Sequence, residues 1–112
     1  MQGFQVTFFT GESRHHGHAP MGAWLMELAS SLGITGATLA VATEGKGRDG
    51  RLHSAHFFDL ADQPIEVTLA VTADQWALLA AALVREQADV FYTKTPVEFG
   101  VLGAPGKLED PA

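Results

Sequence analysis

With 112 residues, 46% hydrophobic and 18% charged, the chain has the balance of one globular domain and lies outside the ranges of disordered and membrane-embedded sequences. A formal net charge of -6 argues against electrostatic binding of nucleic acid, which needs a clustered excess of Lys and Arg. No apolar run approaches the ~20 residues that cross a bilayer, and the absence of cysteine removes disulfides and thiol chemistry. Met1-Gln2-Gly3-Phe4-Gln5 has neither the basic nor the apolar region of a signal peptide, so the expected location is the cytoplasm, without membrane insertion.

Phe4-Gln5-Val6-Thr7-Phe8 alternates apolar and polar residues, which predicts a first strand with Phe4, Val6 and Phe8 on its buried face. Residues 11–19 form a polar, glycine-punctuated connection carrying His15, His16 and His18. Pro20 suits the first turn of a helix, Met21, Trp24, Leu25, Leu28 and Leu32 recur at helical spacing, and Gly33 supplies the left-handed residue that ends it. Thr35-Gly36 turns the chain into a second strand over residues 37–43, with Ala37, Leu39 and Val41 on one side and the small Thr38, Ala40 and Ala42 on the other. That small-residue side leaves room for a neighbouring subunit or for water.

Residues 44–53, with Gly45, Gly47 and Gly50, have no periodicity and read as a long loop. Residues 54–60 are an extended return limb expected to pair with the strand before the loop. Asp62-Gln63-Pro64 is turn chemistry, and residues 65–71 alternate most cleanly of all. Thr72 and Gln75 have the spacing of a capping box, and Trp76, Leu79, Ala80, Leu83 and Val84 mark the buried face of a second helix. Residues 90–95 form a last strand expected to stop at Pro96, and from Gly100 the composition is that of a loose tail.

The order is β-α-β-β-α-β. Two helices with one apolar stripe each must cover one face of a four-stranded antiparallel sheet, which is the α+β, ferredoxin-like sandwich. Residues 1–100 are expected to form this one domain and residues 101–112 a flexible tail. The other face of the sheet has no helical cover and must meet water, a ligand or other subunits. Phe9, Phe57 or Phe58, and Phe91 supply aromatic surface there or at the edges, so oligomerisation is expected.

Three of the seven cations, Lys46, Arg48 and Arg51, fall within six residues of the long loop. Such a cluster either attracts a small anion or keeps a loop solvated. Gly45 and Gly47 allow backbone N–H groups to approach an anion, although the segment is neither a Walker loop nor a dinucleotide fingerprint opening a helix. The competing reading is a partner-binding loop without a ligand. His15, His16 and His18 are dense enough to bind zinc or copper with help from a neighbouring subunit, but no cysteine or carboxylate spacing accompanies them, so the loop is read as solvated and no metal ligand is assigned. His53 and His56, three apart on an extended limb, fall on opposite faces. Trp24 and Trp76 lie on the apolar helix faces and read as core rather than as ligand stackers. No nucleophile stands at a telling distance from a base, so no catalytic residue is assigned and a non-enzymatic role is expected.

Gly-Ile-Thr-Gly-Ala-Thr at 33–38, Glu-Gly-Lys-Gly at 44–47, Gly-Arg-Leu-His at 50–53 and Phe-Phe-Thr-Gly-Glu at 8–12 together resemble the PII-like branch of the PII signalling superfamily, over roughly residues 3–100. The resemblance implies a ferredoxin-like homotrimer with nucleotide or other small-ligand sites in clefts between subunits. The loop after the second strand then corresponds to the PII T-loop, which contacts partner proteins such as a transporter or an enzyme. The candidate ligand-binding residues are Gly36 and Thr38 on the second strand, Glu44, Gly45, Lys46, Gly47, Arg48 and Arg51 on the loop, and Lys94 and Thr95 near the end of the last strand. For Lys94 and Thr95 the alternative is ordinary strand-end polarity. Glu98 and Phe99 are placed to fold back over the cleft.

The departures narrow the ligand. PII proteins carry a Gly-Asp-Gly-Lys loop before the last strand that holds phosphates through backbone N–H groups. Here Arg85-Glu86-Gln87-Ala88-Asp89 has no glycine, and no arginine follows Arg85. An ATP triphosphate loses its counter-charge, so AMP is easier to accommodate. Tyr92 is the only tyrosine, which excludes tyrosine modification in the loop, and Lys46 stands where members of the branch often carry an aromatic residue. The expected function is a trimeric sensor binding an adenine nucleotide such as AMP as its ligand. The alternatives are a metal-handling trimer using His15 to His18 and a small ferredoxin-like enzyme.

Overall fold

A computed structural model of the chain describes residues 1–46, 52–54 and 62–103. In chain order the elements are β1 (Gln2–Gly11), β2 (His15–His16), β3 (Ala19–Pro20), α1 (Met21–Ser31), β4 (Gly36–Val41), β5 (Glu44–Lys46), β6 (Leu52–Ser54), β7 (Pro64–Thr72), α2 (Ala73–Arg85) and β8 (Phe91–Glu98). The four long strands pair in the order β4-β7-β1-β8, every pair antiparallel. Both helices pack on one face, as their single apolar stripes require.

Period-two alternation places the core. Val6 and Phe8 of β1 and Val67, Leu69 and Val71 of β7 bury against Met21, Leu25 and Ala29 of α1 and Leu79 and Leu83 of α2. Each fully buried side chain of this size contributes about 1.5–3 kcal/mol relative to exposure. α1 sits close to the sheet because Gly22 lacks a side chain, since a Cβ there would lie 2.9 Å from Leu39 Cδ1 and 3.1 Å from Ile65 Cγ2. α2 begins on the expected capping box, with Gln75 N donating to Thr72 Oγ1 at 3.1 Å and Thr72 N to Gln75 Oε1 at 2.9 Å.

Val84 does not belong to the buried stripe; it is 78% exposed and Ala82 is buried in its place. Steps of three and four residues from Leu79 reach Ala82 and Leu83, whereas five residues turn the helix ~140° off that face. Leu39 and Val41 share the face of Ala37 as expected, yet remain exposed, because β4 is an edge strand with only β7 beside it. β8 does not stop at Pro96, which pairs opposite Phe4 within the ladder. An edge strand bonds on one side only, so a residue without an N–H is accepted where that group would point outward.

Residues 44–53 are not a loop throughout. Glu44, Gly45 and Lys46 pair with Ser54, His53 and Leu52, so the segment opens and closes as a two-stranded ribbon. Ser54, the first residue of the anticipated return limb, pairs with Glu44 rather than with β4. The rest of that limb, with His56, Phe57 and Phe58, lies outside the described residues, as do residues 104–112 of the anticipated tail. Among the described residues no helix is long and apolar enough to cross a membrane.

Candidate functional site

The face of the sheet away from the helices carries the polar half of each alternation. Register brings Thr38 of β4, Thr68 of β7, Thr7 of β1 and Thr93 of β8 into one row across all four strands. The Thr7 and Thr68 hydroxyls stand 3.2 Å apart at the centre of that row, while Thr38 and Thr93 are exposed at its ends. Gly36, Ala70, Gln5 and Thr95 form the next row on one side, and Ala40, Glu66, Phe9 and Phe91 the row on the other. The Phe9 and Phe91 rings lie 5.7 Å apart. The face is thus hydroxyl-rich and small in its middle, with an aromatic pair at one corner. The four threonines are scattered through the sequence, and only the register aligns them.

The candidate ligand residues divide between the two edges. Gly36 and Thr38 are on β4, while Lys94 and Thr95 are on β8. β7 and β1 lie between, so three strand spacings of ~4.8 Å separate the two sets, and one chain does not bring them together. Thr95 shares the open face with Gly36 and Thr38. Lys94 faces the helix side, with Nζ 4.4 Å from the Phe4 ring centroid and 4.8 Å from that of Trp76. A cation over two aromatic faces is held in place by their quadrupoles.

Glu44, Gly45 and Lys46 are on β5, beyond the far end of β4. Gly36 and Val41, the two ends of β4, are five residue steps apart, or ~17 Å at the rise of a strand. Gly47, Arg48 and Arg51 lie outside the described residues. Phe99 closes the other end of the sheet: its N–H donates to the Met1 carbonyl at 2.8 Å, the Met1 ammonium donates to its carbonyl at 2.6 Å, and its ring lies over Gly3.

The two tryptophans are half-buried at the margins of the core. Trp76 stands 5.2 Å from the Tyr92 ring, beside a groove of about 380 Å³ lined by Phe8, Trp76, Leu83, Ala88, Val90 and Tyr92, with Gln87 and Asp89. Sequence periodicity marks Trp76 only as core, because Tyr92 and Lys94 come from a strand whose place beside α2 is a matter of topology. Trp24 stacks on His16 with ring centroids 3.9 Å apart, and His16 Nε2 lies 3.4 Å from Glu86 Oε1. His15 instead turns Nδ1 to the Ser13 carbonyl at 2.8 Å. The three clustered histidines therefore do not converge, and among the described residues no group of three His, Cys, Asp or Glu is placed to hold a metal.

The connection from α2 to β8 is closed on itself. Glu86 N donates to the Ala82 carbonyl at 2.9 Å, Gln87 N to that of Val84 at 3.1 Å and Ala88 N to that of Leu83 at 3.0 Å. Gln87 takes φ 55° to make this turn, a conformation that residues with a Cβ rarely adopt.

No curated protein matches the chain. The DUF190 family, described as Uncharacterized ACR, matches residues 3–99. Among solved structures, CPII from Thiomonas intermedia K12, a nitrogen regulatory PII-like protein bound to ADP, AMP and bicarbonate, is similar with 18% identity and a TM-score of 0.60, over 87% of this chain and 89% of that one. CPII bound to ADP and bicarbonate gives 20% identity and a TM-score of 0.58, over 87% and 89%. A PII-like signalling protein from Thermus thermophilus gives 19% and 0.62, over 87% and 88%. At these identities the likeness is one of fold. The match across residues 3–99, carried on a β4-β7-β1-β8 sheet beneath two helices, makes this chain a member of the DUF190 family with the ferredoxin-like fold of PII-like proteins.

Proposed function

We propose that the protein is a cytoplasmic, trimeric, non-enzymatic sensor that binds an adenine nucleotide such as AMP between subunits and acts on a protein partner through the segment after β4. The observation that carries this reading is the division of candidate ligand groups between opposite sheet edges, Gly36 and Thr38 on one and Lys94 and Thr95 on the other. A site using both sets is built when the β4 edge of one copy meets the β8 edge of the next, a head-to-tail contact that closes into a ring. The similar CPII, bound to ADP, AMP and bicarbonate, supports a nucleotide as the ligand.

The α2–β8 connection supports few phosphates. The N–H groups of Glu86, Gln87 and Ala88 are bonded to helix carbonyls and are not available to cradle a phosphate chain, which favours AMP over ATP. A ligand that binds one arrangement of the 44–53 segment more tightly shifts its population by that differential affinity and so changes what a transporter or enzyme partner meets.

Thermal shift against AMP, ADP, ATP and bicarbonate, with light scattering on the same samples, tests this. The expected result is a mass of three chains and stabilisation by AMP, reaching about 2.7 kcal/mol at 100 times the dissociation constant. Thr38→Val weakens that stabilisation while leaving the unliganded midpoint in place, whereas Lys94→Ala weakens it and also lowers the unliganded midpoint through the loss of its contacts with Phe4 and Trp76. A monomer, or no response to any nucleotide, overturns the reading.

A further inference from the structure

One four-residue turn touches three separate parts of the molecule. Residues 11–14, between β1 and β2, close on themselves through Arg14 N donating to the Gly11 carbonyl at 3.0 Å, the bond that marks a β-turn. The two central N–H groups hold the chain where it enters β7: Glu12 N donates to the Gln63 carbonyl at 2.9 Å and Ser13 N to the Asp62 carboxylate. The fit around Asp62 requires glycine at position 11, where a Cβ would overlap Asp62 Oδ2. Arg14, the last residue of the turn, faces two other ways. Its carbonyl accepts Met21 N at 2.8 Å at the start of α1, and its guanidinium donates to the Asp89 carbonyl in the α2–β8 connection. Two residues on, His16 Nε2 stands 3.4 Å from Glu86 Oε1 on the same connection.

The stretch held by the turn has its own link. Pro64, the first residue of β7, accepts Ala42 N at 2.8 Å, and Ala42 directly follows β4. The departure and the return of the segment between β4 and β7 are thereby joined to each other and to the turn. From these contacts we propose that the turn at 11–14 couples the base of that segment to the α2–β8 connection, with Asp62 and Arg14 as its two positioning residues.

The placement of the bonds is the reason. A turn closed by its own hydrogen bond shifts as one body, so a displacement of residues 62–64 reaches Asp89 through Arg14. The connection responds because Gln87 is held at φ 55°, and a residue with a Cβ keeps that conformation only while its surroundings over-determine it. Along the chain, residues 62 and 89 are separated by β7 and the whole of α2, whereas the turn spans them directly. Such a coupling runs equally in both directions. It is a property of the ligand-free chain, so it stands or falls apart from nucleotide binding. Where the nucleotide reading holds as well, the turn is the element through which the connection and the partner-facing segment influence one another.

Amide exchange of the ligand-free full chain, followed by NMR, tests the coupling across the turn. Ala88 N, bonded to the Leu83 carbonyl, reports on the connection, and Ala42 N, bonded to that of Pro64, reports on the base of the segment. Leu69, buried at the centre of β7, reports on global unfolding. Asp62→Ala is expected to speed exchange at Ala88 by ~2- to 5-fold, the range of a modest coupling free energy, with a smaller change at Leu69. Gly11→Ala, whose methyl group displaces the Asp62 carboxylate, does the same. Arg14→Met speeds exchange at Ala42 by a similar factor. In an Arg14→Met/His16→Gln background, where both crossings to the connection are cut, Asp62→Ala adds nothing at Ala88. The proposal is overturned by an Ala88 amide that neither Asp62→Ala nor Gly11→Ala moves, or by a rise there no larger than at Leu69. An Ala42 amide unmoved by Arg14→Met, or an Asp62→Ala effect that persists in full in the Arg14→Met/His16→Gln background, overturns it as well.

Discussion

α1 and α2 end on the same hydrogen-bond pattern made from different residues. At α1, Gly33 N donates to Ser30 and Ile34 N to Ala29, each at 3.0 Å; at α2, Gln87 N donates to Val84 at 3.1 Å and Ala88 N to Leu83 at 3.0 Å. Both are Schellman closures. The left-handed position is Gly33 at φ 77° in one and Gln87 at φ 55° in the other. The apolar pair that accompanies the closure is also exchanged: small Ala29 with large Ile34 at α1, large Leu83 with small Ala88 at α2. One helix end is conformationally relaxed and needs no brace. The other is strained and is the one on which Arg14 and His16 land, so the brace sits where the backbone is least self-sufficient.

The apolar pairs separate the two ends most forcefully. Ile34→Ala and Leu83→Ala remove buried side chains from the same core cluster, and each is expected to lower stability by about 2–4 kcal/mol in urea denaturation. Equal losses would show that both closures depend on their large member, whichever position it holds.

The left-handed positions come next, with opposite signs. A Cβ at Gly33 meets nothing within 4 Å, so Gly33→Ala carries only the conformational cost, about 1 kcal/mol of destabilisation. Gln87→Gly relieves about 1–2 kcal/mol of left-handed strain and adds about 0.5–1 kcal/mol of unfolded-chain entropy, for a net gain of about 0.5–1 kcal/mol. A shift of the urea midpoint the same way in both variants would break the comparison.

The smallest effect belongs to the contact between His16 and Glu86. The His16 and Glu86 side chains are 22% and 46% exposed, so solvent screening limits their ion pair to about 0.5 kcal/mol. The expected outcome is a stability loss of that size in His16→Gln, read from the same urea curves.

Short-range patterns were readable without the fold. Phe4, Val6 and Phe8 announce their face, Thr72 and Gln75 announce the cap, and Gly33 announces the end of α1, because each rests on residues within one or two turns of chain. Glycine was equally readable by its absence from 85–89, but the consequence was not. That Gln87 takes the left-handed position and that the neighbouring N–H groups turn back to the helix depends on how far α2 continues before β8 begins. Pro96 misled because a proline ends a central strand and not an edge one, and edge or centre is decided by strand order. Glu44 and Ser54 read as loop and limb because a three-residue ribbon is too short to show a period.

By itself, then, the chain determined its two helices and four long strands, the buried faces of β1 and β7, the β-α-β-β-α-β order, the N-cap of α2 and the end of α1 at Gly33, all of which follow from periodicity and neighbouring residues. Tertiary structure alone decided the threonine row across four strands, the separation of Gly36 and Thr38 from Lys94 and Thr95 at opposite edges, and the meeting of His16 with Glu86 70 positions later. The physical reason is range. Side-chain patterning acts over a few residues, whereas register and edge position are set only when distant segments bury their apolar faces together.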